Sequence, residues 1–280
     1  MSALRLTGVS YVVGRPLLEG IDLELRAGRL TALSGPSGSG KTTLLSIAGG
    51  LLEPTTGTAS YDGAPMWLGT GDPRPEVAFV LQVYGLVPIL SARENVSIAL
   101  RARGVEPAEA DERAEAALAR FSIADLGDRQ VEELSGGQMQ RVALARGLCV
   151  GAQVLLADEP TSELDEGNRG LVLAELRREA ERGAVVVVAT HDPAVVEACD
   201  DHVALDEGRL VRVDIGPAPA PEPAAAQATA PAPAAAPVTE PVPAADPGPE
   251  PAPEPAPEQR PAPEVDHALF RRPSDPSGPA

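Results

Sequence analysis

Leu4 and Leu6, and later Ile21, Leu23 and Leu25, alternate with polar neighbours, which is the two-residue period of half-buried strands. Gly14-Arg15-Pro16 and Ala27-Gly28 supply turn signals around them. Farther along, the pattern becomes solidly apolar over 30–33, 77–81, 154–157 and 184–189. Short runs of that kind are strands buried on both faces, as in a parallel sheet covered by helices. A further strand is predicted over 58–61, and closing strands over 203–205 and 210–213. Helices are predicted over 41–49, 136–150 and 167–181, with a short one after Pro193. From 91 to 126 the chain reads as helix throughout. Ser91-x-x-Glu94 forms a capping box, and Pro107 opens an amphipathic run rich in Ala, Glu and Arg. The segment from about Tyr84 to Glu133 is therefore expected to stand as a separate helical lobe.

Composition divides the chain unevenly. Residues 217–280 hold 20 of the 30 prolines, with 9 acidic against 3 basic residues. Such a Pro/Ala/Glu run cannot bury enough surface to offset its ordering entropy, so it is expected to be a disordered tail with polyproline character. Within it, Val265 to Phe270 beside Arg271-Arg272 form a small apolar island, either a docking peptide or an inert tether end. Residues 1–216 make one domain of ordinary size, and no internal repeat points to a second. The net charge is −18, and the tail supplies about a third of it. The remainder leaves the domain acidic and argues against a nucleic-acid surface. Cys149 and Cys199 lack CxxC spacing and read as buried reduced thiols rather than metal or redox groups. No basic-then-apolar leader opens the chain, and 184–189 falls far short of the ~20 residues of a membrane span. The expectation is a soluble protein without direct membrane insertion.

Gly35-Pro36-Ser37-Gly38-Ser39-Gly40-Lys41-Thr42, followed by Thr43, joins a predicted strand to a predicted helix. Its glycines let backbone N–H groups turn around a β-phosphate, and the helix dipole adds positive potential. Lys41 would reach the β- and γ-phosphates and Thr42 would ligate Mg²⁺. Asp158 ends the strand 154–157, where it could hold Mg²⁺ through water. Glu159 follows, a candidate to orient and deprotonate an attacking water. His191 sits after the strand 184–189, at the carboxyl edge where parallel sheets bind ligands; it is either a γ-phosphate contact or a structural hydrogen bonder. Gln82 ends 77–81 at the same edge, either linking metal or water to the helical lobe or serving as an ordinary loop residue. Tyr11, expected in a loop, could stack on adenine or pack in the core.

Leu134-Ser135-Gly136-Gly137-Gln138 is a second anion-binding device, a hydroxyl and flexible amides at a helix N-terminus. A chain with one nucleotide has no need of two. The pair implies that the signature of one molecule closes over the nucleotide held by another.

In this order, residues 1–213 resemble the ATP-binding subunits of ABC transporters: aromatic Tyr11, Walker A at 35–42, Q-loop Gln82, signature 134–138, Walker B 154–158 with Glu159, D-loop Ser162-Glu163-Leu164-Asp165 and switch His191. The stretches GPSGSGKTTLL, LVPILSARENV and LLADEPTSELD are most similar to the lipoprotein-releasing, macrolide-efflux and cell-division branch. The resemblance implies an α/β P-loop NTPase fold: a RecA-like parallel core, an antiparallel β-subdomain, and a helical signature subdomain over about 84–150. It further implies ATP and Mg²⁺, hydrolysis of ATP, and a second ATP-binding subunit in a dimer. A membrane permease would be the other partner, holding the protein on the cytoplasmic face of the membrane. Leu81 stands where relatives usually carry Phe, and Glu163 replaces a small or amide residue. Val131-Glu132-Glu133 lacks a Pro that relatives often have. An ABC ATPase that regulates a membrane partner without transport is the alternative reading. A DNA-repair or ribosome-associated module is a more remote one, since the chain shows neither coiled-coil nor zinc insertions.

Overall fold

The computed structural model describes residues 2–216; the expectations for the tail, including its apolar island, lie outside them. The chain opens with a long hairpin, β1 (Ala3–Val13) and β2 (Arg15–Arg26), then β3 (Arg29–Ser34) and helix α1 (Lys41–Ala48). β4 (Thr56–Tyr61), the two-residue β5 (Ala64–Pro65) and β6 (Val77–Val80) follow. Next come α2 (Ala92–Arg101), α3 (Pro107–Arg120) and α4 (Gly136–Cys149), with two short 3₁₀ turns between the last two. β7 (Val154–Asp158), α5 (Glu166–Glu181), β8 (Val185–Thr190), α6 (Pro193–Glu197), β9 (Asp201–Asp206) and β10 (Arg209–Asp214) complete the described chain.

Two sheets result. One is antiparallel, in the order β2-β1-β4-β5; the other has the order β10-β9-β3-β8-β7-β6. In the second sheet every neighbouring pair is parallel except β10 with β9. β7 and β8 are buried at every residue, which is why their sequences run apolar without alternation. Alternation persists in the direction each side chain faces. Val186 and Val188 of β8 join the cluster that holds the helices, while Val185, Val187 and Ala189 join the one that holds the antiparallel sheet and α1.

The helical segment packs α2, α3 and α4 against one another, and it also joins the sheet. Phe121, Leu118 and Val96 share a single cluster with Ala78, Val80, Leu155 and Val188 of the sheet. α4 makes the join, packing against β6 and α5. An ion network ties the same join. Arg120 of α3 donates to Glu175 and Glu179 of α5, each at 2.7 Å. Both carboxylates are almost wholly buried, at 1% and 2% exposure. Arg178 and Arg182 pair with them from the surface side.

Candidate functional site

Parallel register brings the strand ends to one edge. Ser34 aligns with Thr190, Asp158 with Ala189, and Val80 with Ala157. The residues that follow these ends, Gly35, Gln82, Glu159 and His191, therefore emerge side by side at the carboxyl edge of the sheet.

Gly35 leads the phosphate loop because nothing larger fits: a Cβ there would lie 2.1 Å from the Leu205 carbonyl oxygen. Gly40 caps α1 in a left-handed conformation, φ 106°, and a Cβ on it would meet the Leu17 carbonyl oxygen at 2.9 Å. Lys41 Nζ donates to the carbonyls of Gly35 at 2.8 Å and Pro36 at 3.1 Å, so its ammonium lies folded inside its own loop. Thr42 Oγ1 donates to Asp158 Oδ2 at 2.6 Å, bringing a hydroxyl and a carboxylate together from facing elements. Burial raises the Asp158 carboxyl above its ordinary range; the Thr42 hydrogen bond opposes that rise, and the neighbouring Glu159 charge adds to it.

Glu159 adopts a left-handed backbone, φ 48°, uncommon for a residue with a side chain. Its own hydrogen bonds hold it there. Its N–H donates to Ala189 O at 2.9 Å, and its carbonyl accepts from Gln140 Nε2 at 2.9 Å. The turn aims the carboxylate at His191, whose Nδ1–H donates to Glu159 Oε1 at 2.7 Å. The His191 side chain is 72% exposed, against 10% for Glu159. The arrangement is a shielded carboxylate with an exposed imidazole in front of it, suited to orienting water.

Ser37, Gly38, Gly40, Lys41, Thr42 and Thr43 line one cleft with Gln82, Asp158, Glu159 and His191. Its volume is about 530 Å³, within the usual range for a small-molecule site. Gly35 and Pro36 form the back of the loop, and Ser39 is buried at 2% exposure. Tyr11 does not join them. It lies within β1 rather than in a loop, half-buried against the sheet core.

Ser135, Gly136, Gly137 and Gln138 also lie outside this cleft. They open α4 as a capping box: Ser135 Oγ accepts from Gln138 N at 3.4 Å, and Gln138 Oε1 accepts from Ser135 N at 2.9 Å. The amides of Gly136 and Gly137 belong to the first turn, where a helix has no internal acceptors. No acidic residue occupies that turn.

Three residues near the site escaped the reading of the sequence. Gln140, 3% exposed, joins the Glu159 carbonyl to the Glu163 N–H, the latter at 3.1 Å. Its signal was a polar side chain on the inward face of α4. Arg146 donates to the carbonyls of Tyr84 and Gly85 at 2.5 and 2.6 Å, fixing the segment beyond Gln82. Arg15 lines the cleft from the tip of β2.

The family described as ABC transporter matches residues 18–162. This chain belongs to that family. Its motifs are those of the family's ATP-binding domain, and its similarity to macrolide-export proteins agrees with the branch read from the sequence. An ABC transporter ATP-binding protein of Mycobacterium tuberculosis (strain H37Rv) is 42% identical over 196 residues, covering 68% of this chain and 59% of that protein. The macrolide export ATP-binding/permease protein MacB of Salmonella typhimurium (strain LT2) is 39% identical over 202 residues, which is 70% of this chain. The chain spans only 31% of the length of MacB. Among solved structures, the dimeric ATP-binding cassette MJ0796 in a post-hydrolysis state bound to ADP and Pi is similar at TM-score 0.68. Identity there is 31%, covering 76% of this chain and 98% of that one.

Proposed function

We propose that this ABC domain binds ATP in the cleft above the phosphate loop and hydrolyses it in a site completed by a second copy. A separate membrane permease is the proposed recipient of the resulting motion. One observation carries the reading: the cleft holds the phosphate loop, Asp158, Glu159 and His191, while the chain's own signature residues lie outside it. The amides at the start of α4 are then available to another molecule's phosphates.

In this reading Lys41 leaves the Gly35 and Pro36 carbonyls for the β- and γ-phosphate oxygens. The Thr42 hydroxyl and Asp158 carboxylate are hard oxygen donors already 2.6 Å apart, a set that fits Mg²⁺, with Gln82 lining the same cleft. Bound there, Mg²⁺ supplies charge neutralisation for the phosphate oxygens. Glu159 accepts the proton of the attacking water, and His191 positions the carboxylate while reaching the γ-phosphate. Ser135, Gly136, Gly137 and Gln138 of the second copy cover the γ-phosphate side, so closure depends on that group. Between β6 and α2, Val83 and Ile89 are 82% and 80% exposed. They offer apolar surface to a membrane partner on the cytoplasmic side.

Asp158→Asn tests the assignment with two effects of opposite sign. The folded pKa of Asp158 is raised, so its ionised form costs stability at neutral pH, and that cost lifts as pH falls through the raised pKa. Asparagine keeps an oxygen for Thr42 and removes the charge. The nucleotide-free variant is expected to melt higher than the native protein. Its Mg²⁺-dependent phosphate release falls to background. A variant that melts lower, or still releases phosphate at the native rate, would remove Asp158 from this role.

A further inference from the structure

The β1–β2 hairpin carries a register shift between Tyr11 and Val12. On one side of it Tyr11 pairs with Leu18; on the other Val12 pairs with Pro16, and Val13 with Arg15. Cross-strand partners share a face of the sheet. Leu18 is fully buried, and Tyr11 packs against the same core. Arg15 and Leu17, one strand period apart on β2, point the other way, and both line the cleft beside the phosphate loop. Val13, opposite Arg15, is 59% exposed.

We infer that the nucleobase is taken by this hairpin tip, against the guanidinium of Arg15 and the side chain of Val13, and not by Tyr11. The inference rests on the nucleotide reading of the cleft and adds which residues recognise the base. The strand leading from the tip packs closely on the phosphate loop. The Leu17 carbonyl packs where only glycine fits at 40 and at 208, a Cβ on Gly208 lying 2.5 Å from it. Glu19 N–H donates to Gly208 O at 2.9 Å. Two residues before Leu17, Arg15 is carried by the same anchored strand.

Its chemistry suits the task. In a chain of net charge −18, most guanidinium groups of the described residues are bonded to carboxylates or carbonyls. Arg15 has no hydrogen-bond or ion-pair partner among the described residues. A planar, weakly hydrated cation stacks on the face of an aromatic base, and Val13 adds apolar contact. The bulge is what exchanges the residues: it turns the aromatic side chain into the core and brings Arg15, the cross-strand partner of Val13, to the cleft.

Calorimetric titration of the full chain with ATP and with inorganic tripolyphosphate, both with Mg²⁺, tests the inference. Arg15→Ala is expected to weaken ATP about three- to tenfold while changing tripolyphosphate affinity less than about twofold. Arg15→Tyr should restore ATP affinity, because an aromatic ring replaces stacking but not charge. Melting temperatures matching the native protein would confirm that these surface variants are folded. Equal weakening of both ligands, or failure of Arg15→Tyr to restore ATP, would make Arg15 a phosphate contact and overturn the inference. So would unchanged ATP affinity in Arg15→Ala. In parallel, Lys41→Ala should weaken both ligands more than about tenfold. If it has no effect on either, the nucleotide reading of the cleft itself falls.

Discussion

Replacing Glu159 with glutamine is expected to slow ATP hydrolysis about 10²–10⁴-fold, the usual contribution of a positioned general base. Nucleotide binding should be nearly unchanged. Glutamine is isosteric, and its carbonyl oxygen can still accept from His191 Nδ1–H, so the 2.7 Å contact survives while the proton acceptor is lost. The left-handed backbone at position 159 should persist too, because its supports are main-chain groups and Gln140. Without hydrolysis the γ-phosphate stays in place, so the variant should accumulate as an ATP-bound dimer. Phosphate release and sedimentation velocity with ATP read the two effects separately. Turnover at the native rate would exclude Glu159 as the base.

Arg120→Met is expected to destabilise the domain by about 3 kcal/mol, the lower end for breaking a buried ion pair, and to lower Tm by about 6–12 °C. Glu175 and Glu179 sit beneath the α3–α5 join, and removal of the guanidinium leaves two carboxylates in a poorly solvated place. Arg178 and Arg182 remain, but their side chains are 65% and 54% exposed and offset only part of the loss. Replacing all three buried-network residues together, Arg120→Met with Glu175→Met and Glu179→Leu, should recover most of the stability, since an apolar set carries no desolvation cost. Thermal unfolding of both variants checks this. A loss under 1 kcal/mol in Arg120→Met would show that water reaches the carboxylates.

The central sheet was legible because its signal is strong and local. The valine run at 184–189 became β8, shifted by one residue, and the leucines before Asp158 became β7. The capping box at Ser91 was visible as a spaced residue pair and formed. The edge constellation followed, since parallel strands must deliver what succeeds them to a single edge. What failed depended on register or on distant partners. Tyr11 was expected in a loop, but β1 and β2 run longer than their alternating leucines suggest, and a bulge that leaves no periodic mark decides which face it takes. The apolar cluster that the helices share with Ala78, Val80 and Leu155 joins residues far apart in sequence and leaves no local pattern. Arg120 lies 55 and 59 residues from its two carboxylates, too far for any local pattern to pair them.

In the proposed dimer, one copy supplies the phosphate loop and another supplies the lid. Two full-length variants, Lys41→Ala and Ser135→Arg, should each be inactive, the first for want of a phosphate ligand and the second because a bulky cation blocks the start of α4. Mixed dimers then contain one site with both defects and one with neither. Equal mixtures should therefore regain roughly a quarter of native phosphate release, half the dimers being mixed and each mixed dimer having one intact site. Mixtures as inactive as either variant by itself would contradict the shared site.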